Sequence, residues 1–198
     1  MHRIRFYLIG CFFLLFYAGQ GIAQTTEYQP AIQEKLNQFI NLSNEQKWSE
    51  AFDLLYPKLF QTVGKHELVG MMESMASEGM SNTTENFKVV SYSDLKTFNG
   101  EDFVLIKYDS NQKLKMSPAI TADDEMRKTV LLNLRQSMGE DNVDYDAKSE
   151  VFLIKGIKSM FAISNEGENN WFLVDNNTNQ EELLTILIPA QIRNELNQ

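Results

Sequence analysis

Apolar residues recur along this chain first at the spacing of helices and then at that of strands. Ile32, Leu36, Phe39 and Ile40 fall on one helical face behind Pro30, which suits a first helical turn, so a first helix is expected there. Ser43 followed by Gln46 forms a capping-box pattern, and the stripe Trp48, Phe52, Leu55, Leu59 and Phe60 behind it predicts a second helix. Pro57 interrupts that stripe. It removes an amide and crowds the preceding turn, so a kink or restart is expected near Tyr56. Leu68, Val69, Met72, Met75 and Ala76 define a third helix that ends at Gly79.

The period then shifts toward two. Met80 to Asn86 reads as a polar turn, and a strand is expected from Phe87 to Tyr92. After the turn signal Asn99-Gly100, Val104, Ile106, Tyr108, Leu114 and Met116 share one parity while Lys107, Asp109, Lys113 and Lys115 share the other. One face is apolar and the other charged, although Asp109 to Gln112 also suits a tight turn that would split the stretch. Thr121 with Asp124 forms another capping box ahead of Met126, Val130, Leu134 and Met138, a fourth helix lying between strands. An acidic loop follows, and then Val151 to Asp175, two apolar runs around the polar turn Asn165 to Asn170, which predicts a central antiparallel hairpin. Its first run is apolar on both faces, as befits a strand inside a sheet. In its second run the alternation puts Trp171 and Asp175 on the same face. Thr178 with Glu181 caps a last helix, Gln180 to Ile188, stopped by Pro189.

The order helices, strands, helix, strands, helix is that of an α+β fold. It predicts a curved antiparallel sheet, a roll, packed against N-terminal helices, with an extra helix between strands and a C-terminal helix. The regular alternation that builds a parallel sheet is missing.

Composition adds compartment and excludes some partners. A basic start (His2, Arg3, Arg5), the apolar run Phe6 to Ala18 and the small residues of Gly21-Ile22-Ala23 mark residues 1–23 as a secretory signal peptide. Residues 24–198 are then one exported domain, periplasmic or secreted. Leu8-Ile9-Gly10-Cys11 also suits a lipoprotein box anchored at Cys11, but the apolar run continues beyond that cysteine. Cleavage after Ala23 leaves no cysteine, hence neither disulfide nor thiol chemistry. The net charge of -9 becomes more negative once Arg3 and Arg5 are removed, which opposes nucleic-acid binding and docking on anionic lipid. No stable membrane insertion is expected after cleavage.

Candidate chemistry is sparse. His66 is the one histidine of the cleaved chain, so a catalytic triad or a multi-histidine metal site would have to use it; at a helix start a surface or capping role is the commoner one. Met71, Met72, Met75 and Met80 suit a soft metal, yet they share their segment with Leu68 and Val69 and are expected in the core. Asp141, Asp144, Asp146 and Glu150 lack the spacing of a calcium loop. No cofactor-binding pattern is present.

The helical start with its tryptophan and Asp53 to Phe60, followed by a sheet that ends in Trp171-Phe172-Leu173-Val174-Asp175, resembles the nuclear transport factor 2-like, or cystatin-like, superfamily, and within it small exported bacterial members of unknown activity. The resemblance covers about residues 30 to 176. It implies a sheet wrapped around a helix to leave a conical pocket, which some members use for isomerisation or dehydration and many use only for binding. The helix at 122–138 and the helix after Asp175 are additions to that plan, and no residue matches a catalytic motif. In such a roll the polar groups expected at the pocket are Tyr56, Tyr92, Tyr108 and Asp175. The leading expectation is a non-catalytic domain that binds a small apolar ligand or a protein partner on its concave face. The alternative is a small isomerase or dehydratase using Asp175 or Asp53 with a tyrosine, and a third is an assembly component with an apolar patch at Leu184 to Ile188.

Overall fold

In the computed structural model the chain is described over residues 27–177 and 181–196. The expected signal peptide, Cys11 and Thr178 lie outside these residues. The fold is α+β, as the order of the patterns predicts. Helices α1 (Tyr28–Asn44), α2 (Trp48–Phe52) and α3 (Lys65–Ser77) precede the strands β1 (Ser81–Tyr92), β2 (Lys96–Phe98) and β3 (Glu101–Lys115). Helices α4 (Pro118–Thr121) and α5 (Asp124–Met138) then separate these from β4 (Val143–Asp146), β5 (Val151–Asn165) and β6 (Phe172–Asp175), and α6 (Glu181–Leu187) and α7 (Ala190–Leu196) end the chain.

The six strands form one open antiparallel sheet in the order β1-β3-β5-β4, with β2 beside β3 and β6 beside β5. Asn99 and Gly100 both have positive φ, the left-handed pair a two-residue hairpin turn requires, and they join β2 to β3. Strand β3 runs unbroken through Asp109 to Gln112, so no turn divides it. The hairpin of β5 and β6 is formed as its apolar runs predict, with Met160 opposite Asp175 and Ile163 opposite Phe172.

Several boundaries differ from the sequence patterns. Ser43 lies in the last turn of α1, so no capping box starts a helix there. The polar run from Ser81 to Glu85 is strand, because it pairs with Asn111 to Lys115 at the sheet edge. Asp123, not Thr121, caps α5 by accepting the amides of Glu125 and Met126, while Thr121 is buried in the short α4. Helix α2 ends before Pro57, which opens a short 3-10 turn.

Alternation divides the core between the two faces of the sheet. Val104, Ile106 and Tyr108 of β3 with Met160 and Ala162 of β5 pack beneath Tyr28, Ile32 and Leu36 of α1. Phe103, Leu105, Phe161 and Ile163 point the other way, beneath Leu184, Leu187, Ile188 and Ile192 of α6, α7 and their link. Leu184, Leu187 and Ile188 are therefore core, while Thr185 and Ile186 between them are exposed. The α1 face is also pinned by polar ties. The Asn44 amide pairs with both backbone groups of Thr84 at 2.8 and 2.9 Å, and the Tyr28 hydroxyl donates to the Ser93 carbonyl at 3.0 Å.

Candidate functional site

Sheet register brings a set of polar groups together on the α1 face, beyond the end of its apolar core. On β3 the face continues from Tyr108 through Ser110 to Gln112, and Tyr108 stands directly opposite Lys158 on β5. Two residues along β5, Met160 stands opposite Asp175 on β6. Directly opposed side chains have Cβ atoms about 5 Å apart and diagonal ones about 7–8 Å, so Tyr108, Lys158 and Asp175 form a row across three neighbouring strands. Opposite Ser110, β5 carries Gly156, where the Asn142 side chain stands 3.5 Å from the place a Cβ would take.

The row interrupts an apolar floor that resumes on the same parity at Ile154 and Phe152. Tyr108 is buried with its ring 5.2 Å from that of Phe87, and burial pushes its hydroxyl well above the usual phenol range, with the nearby Asp175 carboxylate adding to the shift. Lys158 is half-buried, and burial lowers its pKa although Asp175 works in the opposite direction. It donates to Oε1 of Gln112. Asp175 is exposed by surface area, yet its pKa is raised by desolvation, opposed by Lys158. Both statements hold for a carboxylate in a depression, with protein on most sides and solvent on one. The hydroxyl of Ser110 is fully buried and has no hydrogen-bond partner among the described residues, on the same face as Tyr108 and Gln112.

Two of the four expected pocket residues, Tyr108 and Asp175, thus come together. Tyr92 shares their face but is engaged by α1, its hydroxyl donating to Gln33 Oε1 at 3.1 Å. Tyr56 does not belong with them. Leu54 to Tyr56 lies along β6, with Leu173 bonded to Leu54 and Tyr56, and extended backbone before Pro57 sends Leu55 to the α1 face and Tyr56 to the opposite core. There the Tyr56 hydroxyl donates to Glu101 Oε1 at 2.5 Å, and Lys58 bonds both oxygens of the same carboxylate. Asp53 is exposed and paired with Lys65 at 2.5 Å. Lys158 is absent from the residues expected at the pocket, although the sequence carries a signal for it: it is a lone lysine on the parity of Met160 and Ala162.

The other candidates remain apart from this row. His66 is exposed in the first turn of α3. Helix α3 has no buried residue; Met71 and Met75 are exposed rather than core, while Leu68, Val69 and Met72 are half-buried. Asp144 approaches Arg135 at 3.7 Å, and Asp146 accepts the Lys148 amide and the Ser149 hydroxyl. Among the described residues no cluster of three or more His, Cys, Asp or Glu side chains is placed to hold a metal.

Comparison with protein-family models and with curated proteins finds no match. Among solved structures, a candidate dehydratase of the NTF2-like family from Streptomyces avermitilis is similar at 10% identity, covering 74% of this chain and 90% of that one with a TM-score of 0.32. Helices followed by an antiparallel sheet are present in this chain itself. Among the described residues no helix is long and apolar enough to cross a membrane.

Proposed function

We propose that this protein is an exported, non-catalytic binding domain whose ligand lies on the α1 face of the sheet at Tyr108, Ser110, Lys158 and Asp175. The observation that carries this reading is the buried, unpartnered Ser110 hydroxyl beside a half-buried lysine. A buried polar group without a partner costs about 1–3 kcal/mol, so a site that retains one is best understood through something that bonds to it. The neighbouring Phe87, Val89 and Met160 are apolar. The ligand class that fits is a small molecule with an apolar body and one oxygen-bearing head group, which Lys158 and Ser110 meet as donors. Catalysis is less favoured, because burial moves Tyr108 away from the neutral range where a proton-transfer group works. Export rests on the basic, apolar and small-residue pattern of residues 1–23.

Isothermal titration of the chain with decanoate tests the site. Saturable binding is expected, weakened at least tenfold by Lys158→Met, in line with about 1.5–3 kcal/mol for a hydrogen bond to a charged group. Absence of saturable binding, or equal affinity in the variant, would overturn the reading.

A further inference from the structure

A second polar cleft lies on the opposite side of the sheet, where the β2-β3 turn, the end of β5 and the end of α6 meet. Its volume is about 430 Å³, within the range of small-ligand sites. One wall is the pair of turns at Asn99-Gly100 and Asn165-Glu166, tied together by the Glu166 amide donating to the Gly100 carbonyl at 2.9 Å. The other is the C-terminal end of α6.

The hydrogen-bonding capacity of this cleft is only partly used. Glu101 Oε1 accepts from Tyr56 at 2.5 Å and from Lys58 at 3.1 Å, while Oε2 accepts only Lys58 at 2.9 Å. The Lys58 ammonium, held 5.2 Å from the centre of the Tyr56 ring, has three donors and directs them at a carboxylate with two oxygens, so donor and acceptor capacity both remain. Asn165 gives one amide hydrogen to Glu168 and keeps its oxygen, and Thr185 donates to Glu181 and keeps its lone pairs. Asn99 and the backbone of Gly100 add polar lining, and Phe98, Ile186, Leu187 and Pro189 are apolar, with Phe98 half-buried and Ile186 66% exposed at the lip.

Charge selects among ligand classes. Among the described residues, Lys58 and Glu101 are the charged groups lining the cleft, and they neutralise each other. An added anion would face the Glu101 carboxylate and the negative field of the whole chain, and an added cation would displace Lys58 from its partner. A neutral ligand whose hydroxyls both donate and accept meets the unused groups without disturbing the pair. The apolar lip suits the C–H face of a ring. We propose that this cleft is a second binding site, for a neutral polyhydroxylated ligand of the sugar type, held by Glu101, Lys58, Asn165 and Thr185 with its ring against Phe98 and Ile186.

Saturation-transfer difference NMR on the full chain, with cellobiose, maltose and N,N′-diacetylchitobiose as probes, tests the site. At least one disaccharide should give a saturable signal, reduced fivefold or more by Glu101→Gln and by Ile186→Asp. The second variant alters only a solvent-facing side chain, so its fold is retained even if the first is destabilised. Lys158→Met, on the other face of the sheet, should leave the signal unchanged while weakening decanoate binding at least tenfold. The proposal is overturned by no saturable signal from any of the three sugars, by a signal that persists in both cleft variants, or by one that disappears with Lys158→Met.

Discussion

At the scale of single residues, Asp175 and Lys158 oppose each other's cost of burial. Desolvation raises the Asp175 pKa above its ordinary 3.8, and the Lys158 charge pulls it back. The folded chain therefore keeps a proton at a pH where the unfolded chain has released it, so this group lowers stability as pH rises through that window, and its cost is fully present at neutral pH. Asp175→Asn should accordingly stabilise the protein at pH 7, by less than about 1 kcal/mol because the carboxylate is exposed and screened. Urea unfolding should show the gain shrinking as pH falls toward 3.8 and below; a gain that grew on acidification would exclude this account. Lys158→Met removes the opposing charge. NMR titration of the Asp175 carboxyl carbon should then report a pKa further above the ordinary value than in the parent, and an unchanged value would mean that the two groups are not coupled.

Elements differ in how firmly the sheet holds them. Helix α1 buries Ile32 and Leu36 almost completely, whereas α5 has no buried residue and exposes Met126 and Leu132. Leu36→Ala should cost about 2–5 kcal/mol, the range for emptying a packed site, while Leu132→Ala should stay within about 0.5 kcal/mol. Equal effects in chemical denaturation would contradict this contrast. Helix α5 depends on its end instead: Asp123→Ala removes the acceptor of two amides and should cost about 1 kcal/mol, seen as faster hydrogen exchange in the first turn of α5 with slower change elsewhere. The same contrast explains what could be read from the sequence. Where a face is buried, periodicity is strong, so the inward parity of Val104, Ile106 and Tyr108, the β5-β6 hairpin and the shared face of Trp171 and Asp175 are legible, whereas the other face of β3, expected to be charged, buries Phe103 and Leu105 beneath the C-terminal helices. Where pairing alone decides, it is silent: Ser81 to Glu85 is polar and becomes strand only because β3 lies beside it. Tyr56 was misplaced because its direction depends on a bridge between Leu55 and Leu173, a contact that local pattern does not encode.

Across the whole molecule, β3 and β5 couple two cores that lie on opposite faces. Phe103 and Leu105 serve the layer of α6 and α7, while Val104 and Ile106, between and beside them, serve α1. Neither layer can lose its floor without disordering residues that the other requires, since successive residues of one strand point to opposite faces. Unfolding should therefore be a single cooperative transition even though the C-terminal helices pack in the core on the other face from α1. Ile192→Ala, in the α7 layer, removes a side chain that is 1% exposed and should cost about 2–5 kcal/mol. Trp171 lies in the other layer, so its fluorescence reports on the α1 side. In Ile192→Ala the fluorescence midpoint in urea should fall together with that of far-ultraviolet circular dichroism and by the same amount. If the fluorescence transition stays in place while dichroism splits into two steps, the strands are not transmitting stability between the faces, and the C-terminal helices form a separately melting layer. The same coupling bears on ligands. A molecule bound to the folded α1 face raises stability by mass action, and in a two-state chain that gain must appear equally at Ile192, without any contact between the two.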